Sequence, residues 1–372
     1  MQRRLETAPL SRADRLELSR KVKMTTVAGN PVAWADAVTV PSSKARDVTI
    51  DSMRGIAILM VIGIHSLPQP LASGWTIMLD AALRPCVPIF LFASGMMSAG
   101  KTHIPLGRRV MTAIVPYTIA FLAAYIYMAL HNPNMDHRLH VTLARFGLAY
   151  VFVYYYVFVY VGCTVALWFV IKLAKLLGDS HDSLAMLLVL AIGFGLLTGA
   201  YLDPLLAKLG FSPSIIEEVR MRDIPFWFAF LALGLLAGTF RLNEILRDRK
   251  ALLLAAAAIA YVIYTGVRLW KIGDDADYDS LAFFGHASLA ALTLLTWRPA
   301  SAALAMLGSG SYFIYLWHIF IIMFLRDHGV FDRFTPLAGF VFTFAATAIL
   351  IAFFLVCVRR LAPGTMRRWV GA

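Results

Sequence analysis

An arginine and a histidine eleven residues apart in one apolar run are the side chains best suited to act on something other than the fold. The run reads Ile50-Asp51-Ser52-Met53-Arg54-Gly55-Ile56 and continues through apolar residues to Gly63-Ile64-His65-Ser66. That spacing is close to three helical turns, so Arg54 and His65 project from one face, about 16 Å apart along the axis. A guanidinium binds phosphate or carboxylate through a planar fork, and imidazole takes and returns a proton near neutral pH. At this separation the two cannot act on one atom. A permanent cation inside an apolar segment is costly and normally faces a polar cavity or a partner. Asp51, one turn back, is an available partner. Helix geometry alone leaves a second reading open, in which Arg54 reaches to the membrane interface and His65 ends the helix at its far side.

Other chemistry-bearing residues are scattered. His318 lies in a later apolar segment, either as a second polar site group or as a hydrogen-bonded packing residue. His286 reads as a helix–helix contact ahead of a ligand. Glu217, Glu218 and Asp223 read as solvated loop charges ahead of acceptor-binding groups. Ser94-Gly95 suits close helix packing more than nucleophilic chemistry, because no base stands near it in sequence. Cys86, Cys163 and Cys357 are isolated in apolar sequence, with no CxxC and no metal-type spacing. No metal site, P-loop, dinucleotide fingerprint or zinc signature is present in the sequence.

The elements that must carry these residues are membrane helices. Hydrophobic residues make up 60% of the 372 positions and charged residues 15%, with a mean hydropathy of +0.71. A soluble domain is nearer half apolar and one quarter charged. Apolar segments fall at roughly 50–67, 84–99, 109–130, 146–171, 183–200, 225–240, 251–269, 281–297, 311–325 and 335–358. The expected fold is an all-α, polytopic membrane bundle of about ten transmembrane helices over residues 47–360. A basic, mostly disordered tail precedes it at 1–46, with an amphipathic stretch between Leu10 and Val22, and a basic tail follows at 361–372. No apolar run follows the first charges as a cleaved signal would require. The aromatic stretch from Tyr150 to Tyr160 is where a break or re-entrant piece would hide.

Charge placement orients the bundle. The net charge of +12 is not a nucleic-acid footprint, because the basic residues cluster at segment ends. Lys101, Arg108 and Arg109 follow the second segment, and Lys172 and Lys175 end the fourth. Arg241, Arg247, Arg249 and Lys250 follow the sixth, Arg298 the eighth, and Arg359, Arg360, Arg367 and Arg368 the tenth. The connection at 271–279 is acidic, with Asp274, Asp275, Asp277 and Asp279. The positive-inside rule then places both termini in the cytoplasm, and the expected location is the cytoplasmic (inner) membrane.

The pattern resembles the acyltransferase-3 family of membrane-bound acyltransferases. Members typically open with Asp-x-x-Arg-Gly and place a His eleven residues after that Arg, answered here by Asp51, Arg54, Gly55 and His65. The family's second segment reads Val-Pro-apolar-Phe-Phe with Ser-Gly soon after, and here Val87-Pro88-Ile89-Phe90-Leu91-Phe92-Ala93-Ser94-Gly95. A basic stretch follows in the family, as Arg108-Arg109 and then Pro116-Tyr117 do here. The late pattern Gly-x-x-Ser-Tyr-x-x-Tyr-Leu-x-His stands at Gly308 to His318, with Ser311, Tyr312, Tyr315 and Leu316 in register. Residues 130–300 carry no distinctive family motif.

The resemblance implies an O-acyltransferase that moves an acyl group, acetyl first among them, from acyl-CoA to a carbohydrate hydroxyl of an envelope or exported glycan. Such transfer needs a base for the hydroxyl proton and a donor for the developing oxyanion. It implies His65, Arg54 and His318 as catalytic candidates, and Arg54, Arg108 and Arg109 as acyl-CoA-binding candidates. The double-Arg motif that some members show as Arg-x-x-Arg is an adjacent pair here. No hydrolase-like domain follows the tenth segment, so transfer is expected to be completed by the membrane domain or by a separate partner. Implied partners are the lipid bilayer, acyl-CoA and the carbohydrate acceptor, with a homo-oligomer or polysaccharide-assembly proteins as further candidates. Competing classes are a glycan or lipid-linked-sugar transporter, for which intramembrane Arg and His are equally natural, and a non-catalytic subunit of a polysaccharide machine. No internal repeat or matched pair of broken half-helices favours transport.

Overall fold

The computed structural model describes residues 47–132, 134–151, 153–178, 180–272 and 280–372. The expected tail at 1–46, with its amphipathic stretch, lies outside the described residues, as do the four aspartates of the 271–279 connection.

The described residues fold as helices joined by short connections. In chain order they are α1 (Val48–Ser66), α2 (Gly74–Leu83), α3 (Cys86–Met96), α4 (Leu106–His131), α5 (Leu139–Gly147), α6 (Tyr155–Leu176), α7 (His181–Lys208), α8 (Pro213–Arg220) and α9 (Ile224–Thr239). Then follow α10 (Leu242–Ile245), α11 (Lys250–Leu269), α12 (Leu281–Trp297), α13 (Ala302–Ser309), α14 (Ser311–Asp327), α15 (Val330–Arg333), α16 (Pro336–Leu361) and α17 (Gly364–Val370). Eight stretches are long and apolar enough to cross a membrane, with α2 and α3 counted as one and α8 and α9 as another. The pair α13–α14, bent by 81°, makes a ninth when taken as one span, and α12 is a shorter apolar helix, which makes about ten crossings plausible. The chain is a multi-pass, all-α membrane protein, as its composition requires.

Three of the boundaries that differ from the hydropathy reading do so for a visible local reason. The second span starts at Gly74, ten residues before the expected position 84, because Asp80 and Arg84 interrupt its hydropathy while forming an ion pair at 2.7 Å. The fourth runs Tyr155–Leu176 where 146–171 was expected. Ala149 takes a left-handed conformation (φ 49°) and separates α5 from it, so the aromatic stretch does contain a break. The fifth continues to Lys208, because the buried Asp203 within it is paired with Arg220 of α8.

Two glycine contacts set the packing around the site. A Cβ on Gly95 of α3 would strike the Leu231 carbonyl of α9, and one on Gly234 of α9 would strike the Phe92 carbonyl of α3. Likewise Gly55 of α1 lies against the Leu304 carbonyl of α13, and Gly308 of α13 against the Asp51 carbonyl of α1. Such backbone approach is the usual driver of helix association in lipid, where apolar side chains gain nothing by leaving the bilayer. Gly234→Ala is therefore expected to destabilise the fold by about 1–3 kcal/mol, the usual cost of overpacking. Thermal unfolding in detergent checks this, and an unchanged midpoint would contradict the crossing. The last helix, α17, is tied down by Trp317 Nε1, which donates to the Val370 carbonyl at 3.2 Å.

Candidate functional site

Helix α1 positions both leading residues. Its N-cap Asp47 accepts from the Thr49 amide at 2.9 Å, satisfying a first-turn donor and starting the helix at Val48, two residues before Ile50. Arg54 then faces α14, where its Nη2 donates to Ser311 Oγ at 3.0 Å. Asp51 stands 3.6 Å from its Nη1, so the expected intrahelical partner is present at ion-pair distance.

Arg54 borders a cavity of about 170 Å³ whose walls include Ser94, Arg109, Tyr156, Ser311 and Tyr315. Arg109 is oriented by donation from Nη2 to Ser98 Oγ at 3.0 Å. Its neighbour Arg108 is exposed and lines no part of this cavity, so the structure separates the adjacent arginines. Two guanidiniums, hydroxyls and aromatic walls suit a donor with an anionic end and a less polar arm. The volume holds only part of a molecule as large as a nucleotide thioester.

His65, at the other end of α1, borders a second cavity of about 160 Å³, together with Arg84, Cys86, Tyr155, Tyr156 and Tyr315. The fold brings His318 to His65, behind the cavity wall: the two imidazole centroids are 5.5 Å apart. His318 is fully buried, and its Nδ1 lies 2.9 Å from the Tyr315 carbonyl and 3.0 Å from the Ile314 carbonyl. A carbonyl can only accept, so Nδ1 carries the hydrogen, and in the neutral ring Nε2 is left as an acceptor. That Nε2 is buried without a hydrogen-bond partner among the described residues. A buried acceptor left open is costly in a purely structural residue and is what a proton-accepting group needs.

Tyr156 and Tyr315 border both cavities. Their rings meet edge to face at 5.5 Å, and Tyr315 Oη donates to the Val153 carbonyl at 2.6 Å. Tyr154 Oη donates to the Leu316 carbonyl at 2.8 Å, which also ties α14 to the segment leading into α6. The arginine and histidine ends of α1 are thus separated by one pair of tyrosines.

Sequence reasoning passed over Tyr156, Arg84 and Arg326. Tyr156 was hidden in a run of aromatics, and Arg84 lay at the edge of a segment begun too late. Arg326, near the end of α14, donates from Nη2 to the His65 carbonyl at 2.8 Å and the Leu67 carbonyl at 3.0 Å, holding the end of α1. A charge in the last turn of an apolar span was the signal available for it. The weaker candidates fall outside the two cavities. His286 Nε2 donates to the Ala81 carbonyl at 3.2 Å, a contact between helices. Asp223 caps α9 through the Phe226 amide, Glu218 pairs with Arg222 at 2.5 Å, and Glu217 is exposed. Ser94 Oγ donates to its own helix at the Phe90 carbonyl, 2.9 Å away. Among the described residues no group of three or more His, Cys, Asp or Glu side chains could hold a metal ion.

No curated protein and no solved structure matches the chain. A family model does: the acyltransferase domain of the acyltransferase-3 family aligns with residues 47–358, a span that takes in α1 with both of its polar ends, the paired cavities, and nearly all of α16. The chain therefore belongs to the acyltransferase-3 family, as a multi-pass membrane acyltransferase.

Proposed function

We propose that this acyltransferase moves an acyl group, acetyl first among the candidates, from acyl-CoA bound at the Arg54 cavity to a carbohydrate hydroxyl held beside His65 and His318. The observation that carries this reading is the meeting of the two cavities at Tyr156 and Tyr315. A donor held by its anionic groups at Arg54 and Arg109 can extend its arm toward that tyrosine pair, and the acceptor approaches from the His65 side. The acceptor oxygen attacks the thioester carbonyl as His318 Nε2 or His65 takes its proton. A C–O bond forms, the C–S bond breaks, and the proton ends on the CoA sulfur. No large movement of half the bundle is required. Basic residues at the ends of even-numbered crossings support a reading in which the Arg54 end meets acyl-CoA at the cytoplasmic face of the inner membrane and the acceptor approaches from the opposite face.

A transporter of the same shape would bind its cargo and break no thioester. Purified protein in detergent, with no gradient across it, is expected to release free CoA from acetyl-CoA only when a glycan acceptor is added, as followed by chromatography. Gradient-dependent movement of glycan in vesicles, with no CoA released across a broad acceptor panel, would overturn the proposal.

A further inference from the structure

A third cavity, of about 200 Å³, lies where the connection after α3, the end of α6, the start of α7 and the end of α9 meet. It shares no bordering residue with the Arg54 cavity, although Ser98 at its wall accepts the hydrogen bond from Arg109. A smaller cavity of about 90 Å³ adjoins it, and Thr102, Ile171 and Lys175 border both. The pair thus forms one polar recess at the helix ends.

The side chains around this recess are donors. Lys175 and His181 border the larger cavity, and Lys172 and His103 the smaller one. Lys172 Nζ stands 4.0 Å from the centroid of the Trp168 ring, which borders the smaller cavity too. At the wall of the larger cavity Thr239 Oγ1 is buried, with no hydrogen-bond partner among the described residues. Among those residues no acidic side chain borders either cavity, and Asp182, next to His181, is exposed and borders neither. Ammonium groups around a hydroxyl suit a phosphate, whose oxygens accept several hydrogen bonds at once.

The surroundings indicate what carries that phosphate. Phe169, Leu173 and Leu176 are exposed on one face of α6, next to the face that bears Lys172 and Lys175, and Met186 and Val189 are exposed on α7. In a membrane bundle such faces meet acyl chains. Tryptophan at the end of a span is a common anchor at the headgroup level, and basic pockets between span ends take anionic headgroups.

We propose that the two adjoining cavities hold the phosphate of an anionic membrane lipid. Lys172 and Lys175 supply the charge, the Thr239 hydroxyl donates to a phosphate oxygen, and the acyl chains lie along α6 and α7. The site stands apart from the donor and acceptor cavities and does not rest on the acyl-transfer reading.

The test reads binding and needs no acyl donor. Full-length protein in a neutral detergent is titrated with phosphatidylglycerol or with phosphatidylcholine, and its unfolding temperature is followed. Phosphatidylglycerol is expected to raise the midpoint above that in phosphatidylcholine. In Lys172→Gln/Lys175→Gln the amount of phosphatidylglycerol giving half of the rise should increase by about tenfold or more. Lys172→Arg/Lys175→Arg should retain most of the effect, and Thr239→Val, which keeps the shape and removes the hydroxyl, should weaken it. Arg247→Gln/Arg249→Gln removes the same charge from the connection ahead of α11, where neither residue borders a cavity, and should leave the response unchanged. Equal stabilisation by the two lipids, or a response that survives loss of both lysines, would overturn the proposal. An equal loss in the arginine variant would also overturn it, because the attraction would then belong to the basic surface as a whole. Lysine-dependent stabilisation by inorganic phosphate, with none from phosphatidylglycerol, would make this a site for a soluble anion and overturn the lipid assignment.

Discussion

His65→Ala is expected to reduce acyl transfer by about 10²–10⁴-fold, the usual range for removing a general acid–base group. Its effect on the fold should be small. The structural contact at this position is the His65 backbone carbonyl, which accepts from Arg326 and survives the substitution. The lost imidazole borders a cavity, so water can occupy its place. His318→Ala should cost a similar factor, because it removes the buried Nε2 acceptor. The double variant should be little worse than either single one if the imidazoles act as a unit 5.5 Å apart. Initial rates with saturating acceptor, alongside thermal unfolding, check this. Near-normal transfer by a stably folded His65→Ala protein would remove His65 from the mechanism.

Arg54→Lys should act on the donor. Lysine keeps the charge but loses the planar fork that meets Ser311 and Asp51 while facing the first cavity. Hydrogen bonds to a charged group contribute about 1.5–3 kcal/mol, so KM for acyl-CoA should rise by about 10–100-fold. The kcat should fall far less, because Arg54 stands about 16 Å along the helix from His65 and does not touch the reacting atoms. A variant that loses kcat at unchanged KM would place Arg54 in the chemistry or in the packing of α1 against α13 and α14.

The contrast between these residues shows what the sequence made legible. Arg54 and His65 could be paired because they share one helix, where spacing translates directly into position. The membrane class followed from composition, and the number of crossings from hydropathy and charge. What could not be read was any contact between segments distant in the chain. His318 joins His65 across 253 positions of sequence, through the 81° bend at Gly310 that swings α14 against α1. Tyr156 had no distinguishing neighbour among the tyrosines around it. Asp80 and Arg84 were obscured for the opposite reason: their mutual neutralisation is what permits a charged turn in a membrane span, and hydropathy registers only its polarity. The adjacent arginines 108 and 109 form one motif in sequence, yet neighbours on a helix point about 100° apart, and only Arg109 borders the cavity.

The central proposal is that donor and acceptor meet from opposite ends of α1. It is tested most directly in sealed vesicles carrying the purified protein, with a glycan acceptor enclosed and acetyl-labelled acetyl-CoA, which does not cross lipid, supplied outside. The predicted result is label on the enclosed glycan, with free CoA accumulating outside and no glycan escaping. Label appearing only on acceptor placed on the donor's side, or escape of glycan without thioester cleavage, would contradict it.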